Sequence, residues 1–197
     1  MKEIIALLPT SYFPSISYLK VMNTHSVILE AHENYQKRTI RNRTTILNAN
    51  GPYLLSIPLK KGKTKSLITE TEISYDEAWQ VQHLKHIKSS YGSAPFYEHY
   101  IDDISELIGQ SPPTLWLLNL SILNYLKSID YCKSWSYSKK YVSSKDIVYQ
   151  DHRMDIPQTQ QIKSYGQVFE NKYGFVANLS CLDLIFNLGP EGAAYVQ

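Results

Sequence analysis

Residues 4–29 read IIALLPTSYFPSISYLKVMNTHSVIL, and three patterns follow one another in them. Ile4 to Leu8 is an unbroken apolar run, which suits a strand buried on both faces, and Pro9 ends it. Ile16, Leu19 and Met22 then recur at helical spacing behind a Pro/Ser/Tyr loop, and Val27 to Leu29 gives a second apolar run. Strand, loop, short helix and strand make a βαβ-like opening, which places the chain in the α/β class.

Downstream, Asn48-Ala49-Asn50-Gly51 is a turn signal between Thr45–Leu47 and Tyr53–Leu59, the pattern of a hairpin. Lys60 to Lys65 reads as a basic loop, and Ile68, Thr69, Thr71 and Ile73 suggest another strand. Residues 76–130 predict a helical cluster. Ser74 and Glu77 fit a capping box before Trp79, His83, Ile87 and Tyr91, which fall on one helix face with Gly92 as the stop. Phe96, Tyr100, Ile104 and Leu107 mark a second helix closed by Gly109. Ser111 opens a third, where Leu115, Leu118, Ile122, Leu126 and Ile129 keep helical spacing; with Leu117, Leu120 and Leu123 it predicts the centre of the core. Residues 131–141 alternate as a strand with an aromatic and cationic face, and 143–161 read as loop. Asn178 is placed to cap a last helix ended by Gly189-Pro190. The sum is a single α/β domain over 1–197, with a mixed sheet.

The most concentrated chemistry lies at residues 32–43, HENYQKRTIRNR. Read as a strand, its alternation puts Tyr35, Lys37, Thr39, Arg41 and Arg43 on one face and Gln36, Arg38, Ile40 and Asn42 on the other. Cationic planar donors gathered on one element suit a phosphate, pyrophosphate or carboxylate. A solvated edge strand whose charges discourage pairing explains the same pattern. His83, in an apolar stripe, is either a hydrogen-bonded core histidine or a general acid or base.

Composition narrows the function classes. The chain has 197 residues and a net charge of +2, which gives no footprint for nucleic acid. No stretch approaches the roughly 20 apolar residues of a membrane span, and the N-terminus lacks a secretory pattern. Cys132 and Cys181 have neither metal-ligand spacing nor a disulfide framework, so neither metal nor disulfide is expected. There is no P-loop, no dinucleotide fingerprint and no G-x-S-x-G elbow. All of this fits the cytoplasm. The 16 Tyr against 5 Phe suit polar ligand sites and ordinary cores alike.

LPTSYFPSISYL at 8–19, HENYQKRTIRNR at 32–43, NGPYLLSIPL at 50–59 and the Trp79/His83 helix leading into YGSAPFYEHY at 91–100 together resemble the WbqC-like family. GFVANLSCLDLIFNLGPEG at 174–192 is similar to its compact Bacteroidetes-type members. The resemblance implies a bacterial surface-polysaccharide or O-antigen pathway. It implies an enzyme acting on an activated, phosphate-bearing sugar, or transferring a small acyl group to one. Tyr35, Lys37, Arg41, Asn42 and Arg43 would hold the anion, and His32 or His83 would move a proton. The implied partner is a sugar nucleotide or acyl donor; no cofactor is named. A non-catalytic sugar-nucleotide-binding or scaffold protein remains an alternative. So does a nucleotidyltransferase-like enzyme using the opening loop and the helix N-terminus behind it.

Overall fold

The structure, a computed structural model, describes residues 5–61, 66–143, 149–157 and 162–197. The apolar runs of the opening form β1 (Ile5–Leu8) and β2 (Ser26–Leu29), joined by α1 (Ile16–Thr24) and paired in parallel with Ile5 opposite Ser26. Ala6, Leu7 and Leu8 are fully enclosed, as a strand covered on both faces requires. The hairpin follows as β3 (Arg43–Asn48) and β4 (Gly51–Ser56), antiparallel with Asn48 opposite Gly51, where Gly51 adopts φ +107°.

Two short strands complete the main sheet. β5 (Ser136–Tyr137) pairs in parallel with β2, and β6 (Tyr149–Asp151) pairs in parallel with β1. The order is β5-β2-β1-β6. The chain therefore builds outward from β1 through β2 to β5, then returns to the other side of β1. That reversal makes the β1/β6 boundary a topological switch point, and ligands in open α/β sheets bind outside the carboxyl ends of strands at such a point. The mixed strand directions are divided between this parallel sheet and the separate β3–β4 hairpin.

The helical cluster comprises α2 (Trp79–Tyr91), α3 (Tyr97–Gly109) and α4 (Leu115–Ser128), and three further helices follow: α5 (Glu170–Tyr173), α6 (Cys181–Leu188) and α7 (Pro190–Tyr195). Trp79, His83, Ile87 and Tyr91 are all buried, as their spacing predicts. The most enclosed helix is α6, buried at every position from Cys181 to Asn187, whereas Leu117 of α4 is 45% exposed. Phe186 of α6 packs against the rings of Tyr91 and Tyr97.

Several local expectations give way to tertiary contacts. Within residues 32–42, Asn34 makes a single antiparallel bridge to Leu67 and residues 37–42 form turns, so only Arg43 enters a strand. Thr39 Oγ1 donates to the Gln36 carbonyl, the Asn42 amide donates to the Thr39 carbonyl, and Arg38 adopts φ +60°. That geometry closes the chain back on itself and abolishes a period-2 face. In the stretch expected as a strand, Ile68–Glu70 form a 3-10 turn, and Glu72 and Ile73 make only single bridges, to Thr114 and Leu59. Of the Lys60–Lys65 loop, residues 62–65 lie outside the described residues.

The expected capping box is not made, because Ser74 Oγ bonds Asp76 and α2 begins at Trp79 behind Ala78. The third helix is capped by Thr114, not opened at Ser111. Residues 131–141 yield only the two-residue β5, and β6 lies inside the stretch expected to be loop; 144–148 and 158–161 lie outside the described residues. Ser180 caps α6. Asn178 instead accepts from the Ser17 amide in the first turn of α1, whose N-cap is Ser15.

Candidate functional site

Glu30, the first residue past β2, is completely enclosed and gathers the strand ends around it. Its Oε1 accepts from Ser138 Oγ at 2.6 Å and from the His32 amide at 2.9 Å. Its Oε2 accepts from the Val142 amide at 2.9 Å and from Arg153 Nη1 at 3.2 Å. Ser138 and Val142 follow β5 and Arg153 follows β6, so one carboxylate buckles three strand ends together. Asp151 takes the other side of Arg153, accepting from Nε at 2.9 Å and Nη2 at 2.6 Å.

Arg41 continues this network. Its Nε donates to Glu33 Oε1 at 2.7 Å and its Nη2 to Glu33 Oε2 at 2.6 Å, a bidentate fork. Nη2 also reaches the Arg153 carbonyl at 3.2 Å, and Nη1 reaches Thr39 Oγ1 at 3.2 Å. Burial pushes the Glu33 carboxyl up from its ordinary range, and the Arg41 hydrogen bonds and charge pull against that. The arginine is a structural cation held by its own counter-ion.

Above this network lies a cleft of about 490 Å³, lined by the loop after β1 (Ser11, Ser15), by Arg38, Ile40, Arg41 and Arg43, and by His152 to Ile156 beyond β6. It therefore sits at the β1/β6 switch point. Arg41 and Arg153 enter its lining already paired with carboxylates. Arg38 and Arg43 form no ion pair with a described residue, and the half-buried Arg43 has an Nε without a hydrogen-bond partner there. His152 Nε2 is likewise buried and unpartnered, and burial lowers the pKa of the ring. Asp155 is an acidic residue at the exposed rim. Two unneutralised guanidiniums beside hydroxyl groups can receive an oxyanion.

Of the residues singled out in the sequence, Arg41 and Arg43 line this cleft. Lys37 and His32 are exposed elsewhere on the loop, and Tyr35 packs half-buried against the core. Asn42 donates to the Ile57 carbonyl and so ties the loop to the residue after β4. His83 lies away from the cleft: its Nδ1 meets the Tyr12 hydroxyl at 2.9 Å and its ring packs edge-on against Trp79. Arg38, His152, Arg153 and Asp155 were missed. Arg38 fell on the wrong face of a strand that does not form, and the other three lie beyond β6, whose three residues carry no periodic signal.

The chain matches the family model of the WbqC-like proteins over residues 10–133, more than half its length. It belongs to the WbqC-like protein family. No curated protein and no solved structure matches it. The region matched by the WbqC-like model takes in the loop after β1, the segment at 32–42 and the hairpin, while the β6 side of the cleft comes from beyond it. Among the described residues no helix of this WbqC-like protein is long and apolar enough to cross a membrane. Nor do three His, Cys, Asp or Glu side chains among them come together as a metal-binding group. Cys132 and Cys181 are free and buried, and burial pushes the Cys132 thiol up to about 12, far from a reactive thiolate.

His83 makes stability depend on pH. Burial, with a smaller push from His86, lowers its pKa to about 4, against the pull of the Ser56 backbone. The unfolded chain then binds a proton near 6.5 that the folded chain refuses, so stability is full above pH 6.5 and falls as pH drops towards 4. The expected loss by pH 5 is about 2 kcal/mol. Urea unfolding at pH 7 and pH 5 should show it, and the extra pH 5 loss should vanish in His83→Gln. An unchanged slope in that variant would refute the assignment.

Proposed function

We propose that the switch-point cleft binds a phosphate-bearing small molecule, an activated sugar, in bacterial surface-polysaccharide or O-antigen biosynthesis. The protein would act there, as one WbqC-like domain in the cytoplasm, as a transferase on that sugar or in passing a small acyl group to it. The observation that carries the reading is the Arg43 guanidinium, half-buried in the cleft with no counter-ion among the described residues, while Arg41 and Arg153 beside it are neutralised. A buried cation is normally paired, and an incoming anion would supply the partner. Arg38 would close over the same anion from the rim.

A second reading, a non-catalytic sugar-nucleotide-binding or scaffold protein, is favoured by one placement: His32 and His83, the proton-transfer candidates, both lie outside the cleft. A nucleotidyltransferase-like use of α1 has less support. Its first amides are taken by the Leu179 carbonyl, Asn178 Oδ1 and Ser15 Oγ, leaving them unavailable to a phosphate.

The test is a thermal-shift panel of free sugars, sugar 1-phosphates, sugar nucleotides and acetyl-CoA, since ligands of the folded state stabilise it by mass action. Phosphate-bearing members should raise the melting temperature and free sugars should not. Arg43→Ala should keep the fold and weaken binding by about 1.5–3 kcal/mol, the loss of a charge-assisted hydrogen bond. Equal shifts in wild type and variant would remove the anion site. Product formation detected by mass spectrometry would separate the enzyme from the binder.

A further inference from the structure

The cleft combines two guanidiniums that form no ion pair among the described residues with an aliphatic lining, and the second feature is unexplained by an anion alone. Ile40, Leu54, Met154 and Ile156 all face it. Met154 is 81% exposed and Leu54 is 48% exposed, so neither is held in the core. Leu55, the next residue of β4, takes the buried position, which leaves Leu54 on the outer face where a polar side chain is the ordinary choice. An exposed methionine beside it is an adaptable apolar surface for a ligand of variable shape.

The rings of this tyrosine-rich chain are elsewhere. No Phe, Tyr or Trp is among the described residues lining the cleft. A nucleobase is commonly held by stacking on such rings, and only the imidazole of His152 offers anything similar. A bare phosphate would leave the four aliphatic side chains in water. A hydrocarbon chain attached to the phosphate would cover them, and apolar surface removed from water is favourable in proportion to its area.

We infer that the cleft takes an amphiphilic anion: a phosphate head group held by Arg38 and Arg43, joined to an aliphatic chain lying on Ile40, Leu54, Met154 and Ile156. The inference rests on the anion reading above and names the carrier of the phosphate as aliphatic, not a nucleobase. The ligand enters as a free molecule, because the cleft is a recess between the loops after β1 and β6. Asp155 at the rim opposes the head group, so its removal should tighten binding.

Isothermal titration with inorganic phosphate, butyl phosphate, hexyl phosphate and octyl phosphate, all below micelle-forming concentration, tests this. Affinity should rise roughly three- to fourfold per methylene until the chain outgrows the cleft. The double variant Leu54→Ser with Met154→Ser should flatten that chain-length dependence while leaving phosphate affinity unchanged. Both positions are exposed, so the fold should survive. Asp155→Asn should raise the affinity of every member. Phosphate binding that depends on Arg43 but not on chain length would overturn the inference and leave the anion site standing. No binding of any member would overturn both. Binding only to vesicles carrying phosphatidic acid, with none to monomeric alkyl phosphates, would overturn the inference and assign the surface to a membrane.

Discussion

Arg41→Ala is expected to destabilise the protein by about 3–5 kcal/mol, the cost of leaving one member of a buried ion pair alone. Glu33 is 5% exposed and would keep its charge, or take up a proton, without its bidentate partner. The same substitution also frees the Arg153 carbonyl and Thr39 Oγ1. From the sequence alone, Arg41 is an anion-binding residue; its enclosure against Glu33 adds a structural role, so its loss should reach the fold. Replacing the pair together, Arg41→Met with Glu33→Leu, should recover much of the loss, since apolar groups of similar volume remove the unpaired charge. Urea unfolding of the three proteins measures this. A single-variant loss below about 1 kcal/mol would place the pair among surface ion pairs and refute its structural role.

Glu30→Ala is expected to cost a similar amount, about 3–5 kcal/mol, for a different reason. Four donors converge on this carboxylate from the ends of three strands. Removing it strands the Ser138 hydroxyl and the Val142 amide in the interior and takes from Arg153 one of its two carboxylate partners, leaving Asp151. The strands it buckles are short, two residues in β5 and three in β6, and have few ladder hydrogen bonds of their own. Amide exchange should therefore accelerate first at Tyr137 and Asp151, before the β1–β2 pair is affected. Uniform acceleration across the sheet would mean that Glu30 supports the core at large. The Lys60–Glu72 pair supplies the contrast: it is well exposed and lies away from the cleft, and Lys60→Ala should leave stability essentially unchanged.

What could be read in the sequence was what local periodicity determines. The βαβ opening, the hairpin at Gly51 and the Trp79–Tyr91 stripe follow from spacing and turn chemistry, which act over a few residues. β5 and β6 could not be read this way, because a two- or three-residue strand is defined by the partner it pairs with, and β6 finds β1 across more than a hundred residues. The basic stretch failed for a related reason. Alternating charge looks like a strand face, but Glu33 was free to fold back onto Arg41 eight positions away and turn a presumed ligand residue into an internal strut. Arg43 kept the exposure to the cleft that its position suggested, because it opens β3. Arg38 gained it through a left-handed turn that nothing in the sequence marks.

The central claim is that Arg43, unlike Arg41, is available to a phosphate-bearing ligand at the switch point. The most direct measurement is the side-chain Nε–Hε resonance of each arginine in nitrogen-15-labelled protein, titrated with glucose 1-phosphate. Assignment would come from Arg38→Lys, Arg41→Lys and Arg43→Lys. The Arg43 resonance should shift saturably, and Arg38 with it, while Arg41, locked to Glu33, stays in place. A saturable shift of Arg41 with Arg43 unmoved, or no response of Arg38 and Arg43 at saturating ligand, would contradict the account.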